Sequence, residues 1–236
     1  MIRTNRQPGG SDHMITAGVT DLMTTLAIIF VLLLTIYLKS SYEAQAQSAG
    51  NKEDVKTLLR DHFIRFNLHV EDDPRDPLVL LVVVPENLLN FEFGKASLRP
   101  VADQFLTEAM PFYASALCGP LRGKIDSVVI EGHTDDLGED VLNLKLSQER
   151  SFSVMVKALA VIQARQPSQY RCFQEMTSAS GRGKQDLIYE DGYALNRDKS
   201  RRVIFKIRMR SVEQRNQAIT ALRNFPPVVP PILPLP

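Results

Sequence analysis

The sequence predicts an α/β protein in which one N-terminal membrane-spanning helix precedes a single α/β sandwich domain. Residues 22–38 contain no charged side chain, which is typical of a transmembrane segment. From residue 78 onward, short apolar runs typical of strands alternate with longer segments of helical spacing. A length of 236 residues with 44% hydrophobic composition suits one span and one globular domain.

The predicted transmembrane helix covers residues 15–38 and contains one carboxylate, Asp21, near its start. About 20 helical residues rise about 30 Å, which is the thickness of the hydrocarbon core of a bilayer. An ionisable side chain in such a segment costs about 2.5–3.5 kcal/mol on insertion scales. A residue of this kind is usually kept for proton or ion handling or for pairing with a partner, so Asp21 is a candidate functional residue.

The residues that neighbour Asp21 on a helix are small or hydroxylated, and comprise Ala17, Gly18, Thr24 and Thr25. Small residues let another helix approach closely, and hydroxyls can hydrogen-bond a carboxyl group or a water. We therefore expect Asp21 to face protein, in a dry setting that favours the protonated carboxyl and lets it take up and release a proton. The alternative is that Asp21 lies at the level of the lipid headgroups and only marks the start of the helix.

A cleaved signal peptide is another interpretation of the N-terminal segment. Arg3 and Arg6 would form its basic region, and residues 44–46 resemble a small-x-small cleavage site. The apolar run exceeds the usual length of about 7–15 residues and ends well before residue 44, so we expect an uncleaved anchor. By the positive-inside rule, residues 1–14 form a short cytoplasmic tail, and the domain after the span lies outside the bacterial inner membrane, in the periplasm.

The charge balance and the cysteines restrict the function further. Lys and Arg total 28 against 27 Asp and Glu, a balance that argues against nucleic-acid binding through a general basic field. The two cysteines, Cys118 and Cys172, could pair in an oxidising compartment and add about 3–4 kcal/mol of stability. The alternative is two unpaired buried thiols. No C-x-x-C motif or His/Cys cluster is present, so we expect no zinc site.

Residues 39–77 are predicted to form a linker or plug-like helical region. Residues 54–68 return to helical spacing, and we favour an ordinary linker helix over one that packs on the domain or plugs another structure at rest. Residues 71–77 are rich in turn formers and mark the predicted domain boundary.

The predicted domain covers residues 78–210 and contains a mixed sheet covered on one side. Pro111 is expected to break its first helix, and Ser147, a residue type favoured at helix N-caps, is expected to start its second. Residues 211–236 form a helix-prone segment and a proline-rich tail, which would be a spacer or a docking peptide. The predicted strands are residues 78–84, 90–93, 127–132, 176–180 and 202–208, and the predicted helices are residues 101–116 and 147–161.

Asp135 follows a predicted strand, and Arg150 lies in the first turns of the predicted helix at residues 147–161. A carboxylate beside a guanidinium suits a zwitterionic ligand, because Asp binds an ammonium group and Arg binds a carboxylate in a bidentate manner. The alternative is that the two residues form a salt bridge with each other. His133 has no Ser or Cys nucleophile motif near it, so we expect it to cap the turn and expect no enzymatic activity.

Several motifs in a fixed order resemble the OmpA-like peptidoglycan-binding domain. They are LNFEFGKASLRP at residues 89–100, GHTD at 132–135, N-x-x-L-S-x-x-R at 143–150, G-x-G at 181–183 and N-R-x-x-S-R-R-V at 196–203. The resemblance implies an OmpA-like α/β sandwich in which Asp135 and Arg150 grip the diaminopimelate of the peptidoglycan stem. It also implies that a further set shapes the pocket, namely Asn143, Arg197, Arg201 and Arg202. The sequence departs from the family at Ser200, where Asn is usual, and at Ser151, where Ala is usual.

Such a domain behind one span with the sequence DLMT at residues 21–24 resembles the B subunit of flagellar-type stators, which is MotB-like. The resemblance implies a homodimer inside a ring of multi-span A subunits, with ion passage turning the ring and the outer domain held on peptidoglycan. Asp21 would carry H⁺, with Na⁺ the less favoured ion, and Thr24 or Thr25 would hydrogen-bond its carboxyl along the ion path. No cofactor and no direct nucleic-acid partner is implied.

The run VTDLM at residues 19–23 departs from the Tyr-Ala-Asp-Phe-Met pattern that is common in flagellar members, and the N-terminal tail is shorter and less basic. In these respects the sequence resembles ZorB, the stator-like B subunit of Zorya anti-phage defence systems. Three alternatives remain: a flagellar-type motor stator subunit, a structural tether between inner membrane and peptidoglycan without ion flux, and the wall-anchored membrane component of a secretion machine.

Overall fold

The structure, a computed structural model, describes residues 11–63, 66, 68–92, 94–190, 193–211 and 214. The chain divides into two compact units, Met1–Gln47 and Ser48–Pro236. The predictions for the first ten residues and for the proline-rich segment at residues 226–236 lie outside the described residues.

The first unit contains the apolar part of helix α1, which comprises Ser11–Phe63. Its section Asp21–Glu43 is 23 residues long with a mean hydropathy of 2.2, and all of its side chains are exposed. Among the described residues this is the one helix long and apolar enough to cross a membrane. A helix that exposes Leu, Ile, Val and Phe around its whole circumference is suited to lipid or to other helices, since water would disfavour that surface.

The second unit is built on a five-stranded sheet with helices on one face. Its elements are β1 (Val70–Asp72), β2 (Val79–Pro85), α2 (Pro100–Cys118), β3 (Ile125–His133), α3 (Asp140–Arg165), α4 (Pro167–Met176), β4 (Thr177–Gly183), β5 (Tyr189–Glu190), β6 (Ala194–Leu195), α5 (Arg197–Ser200) and β7 (Arg202–Met209). The strand order is β1-β2-β7-β3-β4, and β5 pairs with β6 in a separate hairpin. The predicted fold class, α/β with one N-terminal apolar helix, is confirmed.

Strand direction decides which residues meet at the edges of the sheet. β7 is antiparallel to both β2 and β3, and β3 is parallel to β4. The carboxyl ends of β2, β3 and β4 therefore lie at the same edge as the amino end of β7. We call this edge the upper edge.

The core lies between the sheet and helices α2 and α3. Alternate residues of the central strands are buried, as the period of two along a strand requires. The ring of Tyr113 in α2 contacts the ring of Phe205 in β7 with centroids 5.3 Å apart, and both side chains are fully buried. Such contacts fix α2 across the middle of the sheet.

The end of α1 belongs to this core. Val55 and Leu59 are completely buried among the core residues of the second unit. Lys52 Nζ lies 2.8 Å from a carboxylate oxygen of Asp72 in β1, and Lys56 bonds the other oxygen of the same carboxylate. The favoured interpretation of this segment as an ordinary linker helix is therefore wrong, because its apolar face packs on the domain.

Two local predictions are also wrong. Of the strand predicted at residues 90–93, the described residues 90–92 do not form one, since Phe91 makes only an isolated bridge with Leu98. Pro111 lies inside α2, which continues unbroken from residue 100 to 118. Buried residues occur on both sides of Pro111, and their burial outweighs the cost of about 3 kcal/mol that an interior proline imposes.

Helix α3 approaches the strand ends unusually closely, because two glycines face it. A Cβ at Gly132 would collide with the carbonyl oxygen of Ser147, and one at Gly181 would collide with the backbone of Gln148. Ser147 lies inside α3, which begins at Asp140, so the prediction that it starts the helix is wrong. Its hydroxyl instead accepts a hydrogen bond from Gly183 N at 2.9 Å and so joins α3 to β4.

A disulfide joins Cys118 at the end of α2 to Cys172 in α4, with 6.0 Å between their Cα atoms. Both side chains pack against the core from its margin. The bond holds the two helices together where α2 ends.

Candidate functional site

The upper edge of the sheet brings together acidic and basic side chains that are far apart in the sequence. Glu86 directly follows β2, Asp135 follows β3, and Arg201 directly precedes β7. These three positions converge because the carboxyl ends of β2 and β3 flank the amino end of β7.

Arg201 is the centre of this cluster and bonds three carboxylates. Its Nε donates to Glu86 Oε2 at 2.7 Å, its Nη1 donates to Asp135 Oδ2 at 2.9 Å, and its Nη2 donates to Asp198. Burial disfavours the charged guanidinium, but the bonds to Glu86 and Asp135 outweigh burial and raise the pKa of Arg201 above its usual value. Arg201 is therefore a permanent internal counter-ion for the acidic side of the site.

Asp135 is held in a fixed orientation. Besides the bond from Arg201, its Oδ1 accepts a hydrogen bond from Leu137 N at 3.1 Å, and only 14% of its side chain is exposed. No ion pair joins Asp135 to Arg150 within 4.0 Å among the described residues. The alternative that these two residues form a salt bridge with each other is wrong, because Arg201 occupies the position that Arg150 would take.

Arg150 lies next to this cluster with its terminal nitrogens available. Its Nε donates to the carbonyl of Lys95 at 3.0 Å, and its guanidinium carbon lies 4.9 Å from the centre of the Phe91 ring. Within the described part of the chain, no carboxylate or carbonyl accepts a hydrogen bond from Nη1 or Nη2 of Arg150. Burial lowers the pKa of Arg150, and the charge of nearby Glu86 offsets part of that effect.

A small pocket opens between these groups. Its walls include Glu86, Leu89 and Phe91 on one side and Arg150, Arg201 and His133 on the other. The Glu86 carboxylate and the Arg150 guanidinium thus face one space that also has an aromatic wall, whereas Asp135 does not line this space and is joined to it through Arg201. An arrangement of this kind can bind a small ligand that carries both an ammonium and a carboxylate group.

Two other predicted site residues, Asn143 and Arg197, bond residues of the loop between β3 and α3. The Asn143 side chain donates to the carbonyls of Leu137 and Glu139 at 2.6 and 3.1 Å, which fixes the loop that carries Asp135. Arg197 forms a bidentate pair with Asp136 at 2.7 and 3.0 Å. Neither side chain lines the pocket.

Arg202 borders the pocket but is engaged in backbone contacts. Its Nη1 donates to Ser200 O at 3.2 Å and its Nη2 donates to Asp186 O at 2.9 Å. Burial lowers the pKa of Arg202, and the nearby charge of Asp186 partly opposes this. Ser200 is fully buried, and its hydroxyl donates to Asn196 O at 2.7 Å and accepts from Ile188 N at 3.0 Å. The serine at this position therefore has a structural partner on each side.

His133 connects the end of β3 to the loop after β4. Its Nδ1 donates to Gln185 O at 3.0 Å, and its Nε2 lies 3.7 Å from Glu131 Oε2. Both residues are buried. Burial tends to raise the pKa of Glu131, but the neighbouring His133 and Lys206 outweigh that effect and lower it. Among the described residues, no group of three His, Cys, Asp or Glu side chains could hold a metal ion.

Sequence reasoning missed Glu86, Phe91 and Lys95 as parts of the site. Glu86 carried a usable signal, because it directly follows the apolar strand that ends at Pro85, just as Asp135 follows the next strand of the domain. Phe91 and Lys95 carried none, since only the three-dimensional structure places their loop against Arg150.

In the first unit, the hydroxyls of Thr24 and Thr25 bond the backbone of Asp21. Thr24 Oγ1 and Thr25 Oγ1 donate to the backbone carbonyl of Asp21 at 2.9 and 2.8 Å. A backbone carbonyl three or four positions earlier is a near acceptor on a helix, and a bond between these hydroxyls and the Asp21 carboxyl stays a prediction. The hydroxyl oxygens retain lone pairs that can accept a hydrogen bond from a protonated carboxyl.

Comparison with curated proteins finds partial matches. No family model matches the chain. Outer membrane protein A of Bordetella avium is 31% identical over 117 residues, which is 50% of this chain and 52% of that protein. Outer membrane protein P5 of Haemophilus influenzae is 39% identical over 67 residues, which is 28% of this chain and 17% of that protein.

A photosystem I P700 chlorophyll a apoprotein A2 of Gloeobacter violaceus is 38% identical over 78 residues, 32% of this chain and 8% of that protein. The chain thus spans about half the length of the Bordetella protein and less than a fifth of the two others.

Comparison with solved structures finds a MotB-like protein, a MotB periplasmic domain and a cell wall anchor among the similar chains. A MotB-like protein from Desulfovibrio vulgaris is 22% identical, with a TM-score of 0.47 over 71% of this chain and 98% of that chain. The periplasmic domain of Helicobacter pylori MotB is 16% identical, with a TM-score of 0.45 over 67% of this chain and 93% of that chain. The cell wall anchor of the T6SS from Pseudomonas aeruginosa is 23% identical, with a TM-score of 0.44 over 66% of this chain and 97% of that chain.

Proposed function

We propose that the chain anchors an inner-membrane stator-type complex to peptidoglycan. In this proposal it is a single-pass protein with its N-terminus in the cytoplasm and its sheet domain in the periplasm, where disulfides form. The observation that carries the proposal is the pocket that Glu86 and Arg150 line, in which the terminal nitrogens of Arg150 bond no other described residue and Arg201 joins Glu86 to the oriented carboxylate of Asp135.

The ligand would be the zwitterionic end of a diaminopimelate side chain on a peptidoglycan stem. Its carboxylate accepts from Nη1 and Nη2 of Arg150 in a bidentate manner, while Phe91 restricts the guanidinium to one plane. Its ammonium donates to Asp135 and to Glu86, each of which already shares one oxygen with Arg201. The role of Arg201 is to hold both carboxylates in place and to reduce the repulsion between them.

The membrane half of the proposal concerns Asp21. Two copies of the chain would place their spans inside a ring of multi-span A subunits, as the stator resemblance implies. Asp21 would take a proton from the outside and release it inward, driven by about 2.3 kcal/mol per charge per 100 mV of membrane potential. The hydroxyl oxygens of Thr24 and Thr25, whose hydrogens point to the Asp21 carbonyl, would accept a hydrogen bond from the protonated carboxyl. An anti-phage role of the ZorB type is the function that we favour for such a complex.

The anchor is tested by substituting Arg150 with alanine. Without the Arg150 guanidinium, the arginines left at the pocket, Arg201 and Arg202, are already bonded to protein groups, and we expect the full chain to lose about tenfold or more in affinity for isolated sacculi. The measurement is co-sedimentation of the detergent-solubilised protein with sacculi. The matched control is Arg171→Ala, an exposed arginine of α4 that pairs only with Glu175 among the described residues. Equal sedimentation of the Arg150 variant and the wild type would refute the anchor.

Proton transfer is tested by Asp21→Asn in the complex with its A subunit, reconstituted in vesicles with a pH-sensitive dye. Asparagine keeps the shape of the side chain but cannot carry a proton, so we expect normal assembly and no flux. Glu43→Gln, at the other end of the apolar section, is the matched control and should conduct. Flux through the Asp21 variant would remove the motor from the proposal and leave the structural tether without ion flux.

A further inference from the structure

Two tyrosines of the β5–β6 hairpin expose aromatic surface that has no role in the core. Tyr193 is 94% exposed, more than any other tyrosine of the chain, and Tyr189 is 53% exposed. An aromatic ring with a polar tip is the side-chain type most enriched where proteins meet a ligand that is partly apolar and partly polar.

Tyr189 lies on one face of the hairpin, and Tyr193 lies in the turn that directly precedes β6. Tyr189 pairs with Leu195 across the two strands, so their side chains point the same way. The backbone N–H of Tyr193 donates to Glu190 O at 3.1 Å, which holds the turn beside the end of β5. Glu190 points opposite to Tyr189, since its carboxylate accepts hydrogen bonds from Asn196 Nδ2 at 2.7 Å and from Lys199 Nζ at 3.0 Å. One face of the hairpin is thus held against α5, while Tyr189 on the other face and Tyr193 in the turn are exposed.

The hairpin is continuous with the pocket through a short chain of hydrogen bonds. Ile188, directly before β5, accepts from Asn196 N at 2.8 Å and donates from its own N–H to Ser200 Oγ at 3.0 Å. Arg201, the residue after Ser200, is the arginine that orients Glu86 and Asp135. The hairpin that carries the two tyrosines is therefore hydrogen-bonded to the segment that leads into Arg201 at the pocket.

We propose that Tyr189 and Tyr193 form a platform for the sugar rings of the glycan strand to which the bound stem peptide is attached. This inference rests on the proposed function of the pocket. A pyranose ring presents C–H groups on its faces, and these pack on the electron-rich face of an aromatic ring while the phenol hydroxyls bond to sugar hydroxyl or acetamido groups. Capture of the peptide end by Arg150 raises the local concentration of the covalently linked sugars beside the platform.

The test compares two soluble ligands by calorimetry on the full chain in detergent. One is the disaccharide–tripeptide of N-acetylglucosamine, N-acetylmuramic acid and a stem that ends in meso-diaminopimelate, and the other is the same tripeptide without sugars. We expect the wild type to bind the sugar-containing ligand more tightly, by between about two- and tenfold for each ring that contributes. The double variant Tyr189→Ala and Tyr193→Ala should bind both ligands equally, with the affinity that the wild type has for the tripeptide.

Two further variants sharpen the test. Phe152→Ala removes an aromatic side chain of the same exposure, 53%, from α3 and should leave the preference for the sugar-containing ligand unchanged. The double variant Tyr189→Phe and Tyr193→Phe should keep most of the preference, because it keeps the ring faces.

Each contrary outcome is distinct. Equal binding of the two ligands by the wild type, or an undiminished preference in the alanine double variant, would overturn the platform while tripeptide binding that depends on Arg150 upholds the anchor. Binding of neither ligand by the wild type would overturn the anchor and the platform together.

Discussion

Removal of the disulfide between Cys118 and Cys172 should lower the free energy of unfolding of the sheet domain by about 4 kcal/mol. The bond links residues 54 positions apart. For a loop of that length, the entropy that the cross-link removes from the unfolded chain corresponds to about 4 kcal/mol at 25 °C. The cysteines lie at the margin of the core, where serine replaces them with little change in volume, so this entropy is the main part of the expected effect.

The assay is urea unfolding of the full chain in detergent, followed by circular dichroism, for the wild type and for the double variant Cys118→Ser and Cys172→Ser. With a slope of about 2 kcal/mol per molar urea, the midpoint should fall by about 2 M. A reducing agent should shift the wild type by a similar amount and leave the double variant unchanged. A shift below about 0.5 M would refute the argument from loop length, as would an equal effect of reductant on the double variant.

Two further predictions concern charge and packing in the sheet domain. The Arg75 guanidinium holds the pKa of Asp186 in the folded protein below its ordinary value of 3.8. The ionised Asp186 therefore stabilises the fold at any pH above 3.8. This stabilisation is lost as the pH falls through the lower pKa of the folded state. Asp186→Asn, which tolerates the positive φ of 61° at this position, should therefore flatten the loss of stability below pH 3.8 in urea titrations; an unchanged acid profile would show that the pair contributes nothing. Gly181→Ala should push α3 away from β4, lower stability by about 1–3 kcal/mol and weaken sacculus binding. Gly123→Ala, whose Cβ would meet no atom within 4 Å, is its control, and equal behaviour of the two variants would contradict the close approach.

The parts of the fold that could be predicted from the sequence are those with a strong local signal. The apolar run behind Asp21 and the buried strand at β2 are continuous and need no distant partner to be recognised. Helix α2 shows where local rules fail, because Pro111 is tolerated when nine buried residues of the helix gain more than the proline costs. The burial of Val55 and Leu59 could not be predicted from the local sequence either, because the same spacing of apolar residues suits a free linker helix and a packed one.

The nearness of Asp135 and Arg150 was predictable from the sequence, but the pairing of their charges was not. Asp135 follows a strand and Arg150 lies on the following helix, close enough for their charges to interact. Which arginine meets Asp135 depends on strand order, and the order β2-β7-β3 puts Arg201 between Glu86 and Asp135. No spacing along the chain carries that information, because Arg201 is 66 residues from Asp135 and 115 from Glu86.

Because Arg201 bonds three carboxylates, the acidic side of the site is preorganised without the help of Arg150, which a simple Asp–Arg pair would not achieve. If Arg150 were the partner of Asp135, a ligand would first have to break that ion pair. The free energy of binding would then include the cost of reorienting both side chains. With Arg201 as the fixed counter-ion, the acidic half of the pocket stays in place whether a ligand is present or absent, and Arg150 can be loaded and unloaded without disturbing it. Among the three bonds of Arg201, the one to Asp135 would depend least on ionic strength, because the Asp135 side chain is only 14% exposed while Glu86 and Asp198 are more open to water.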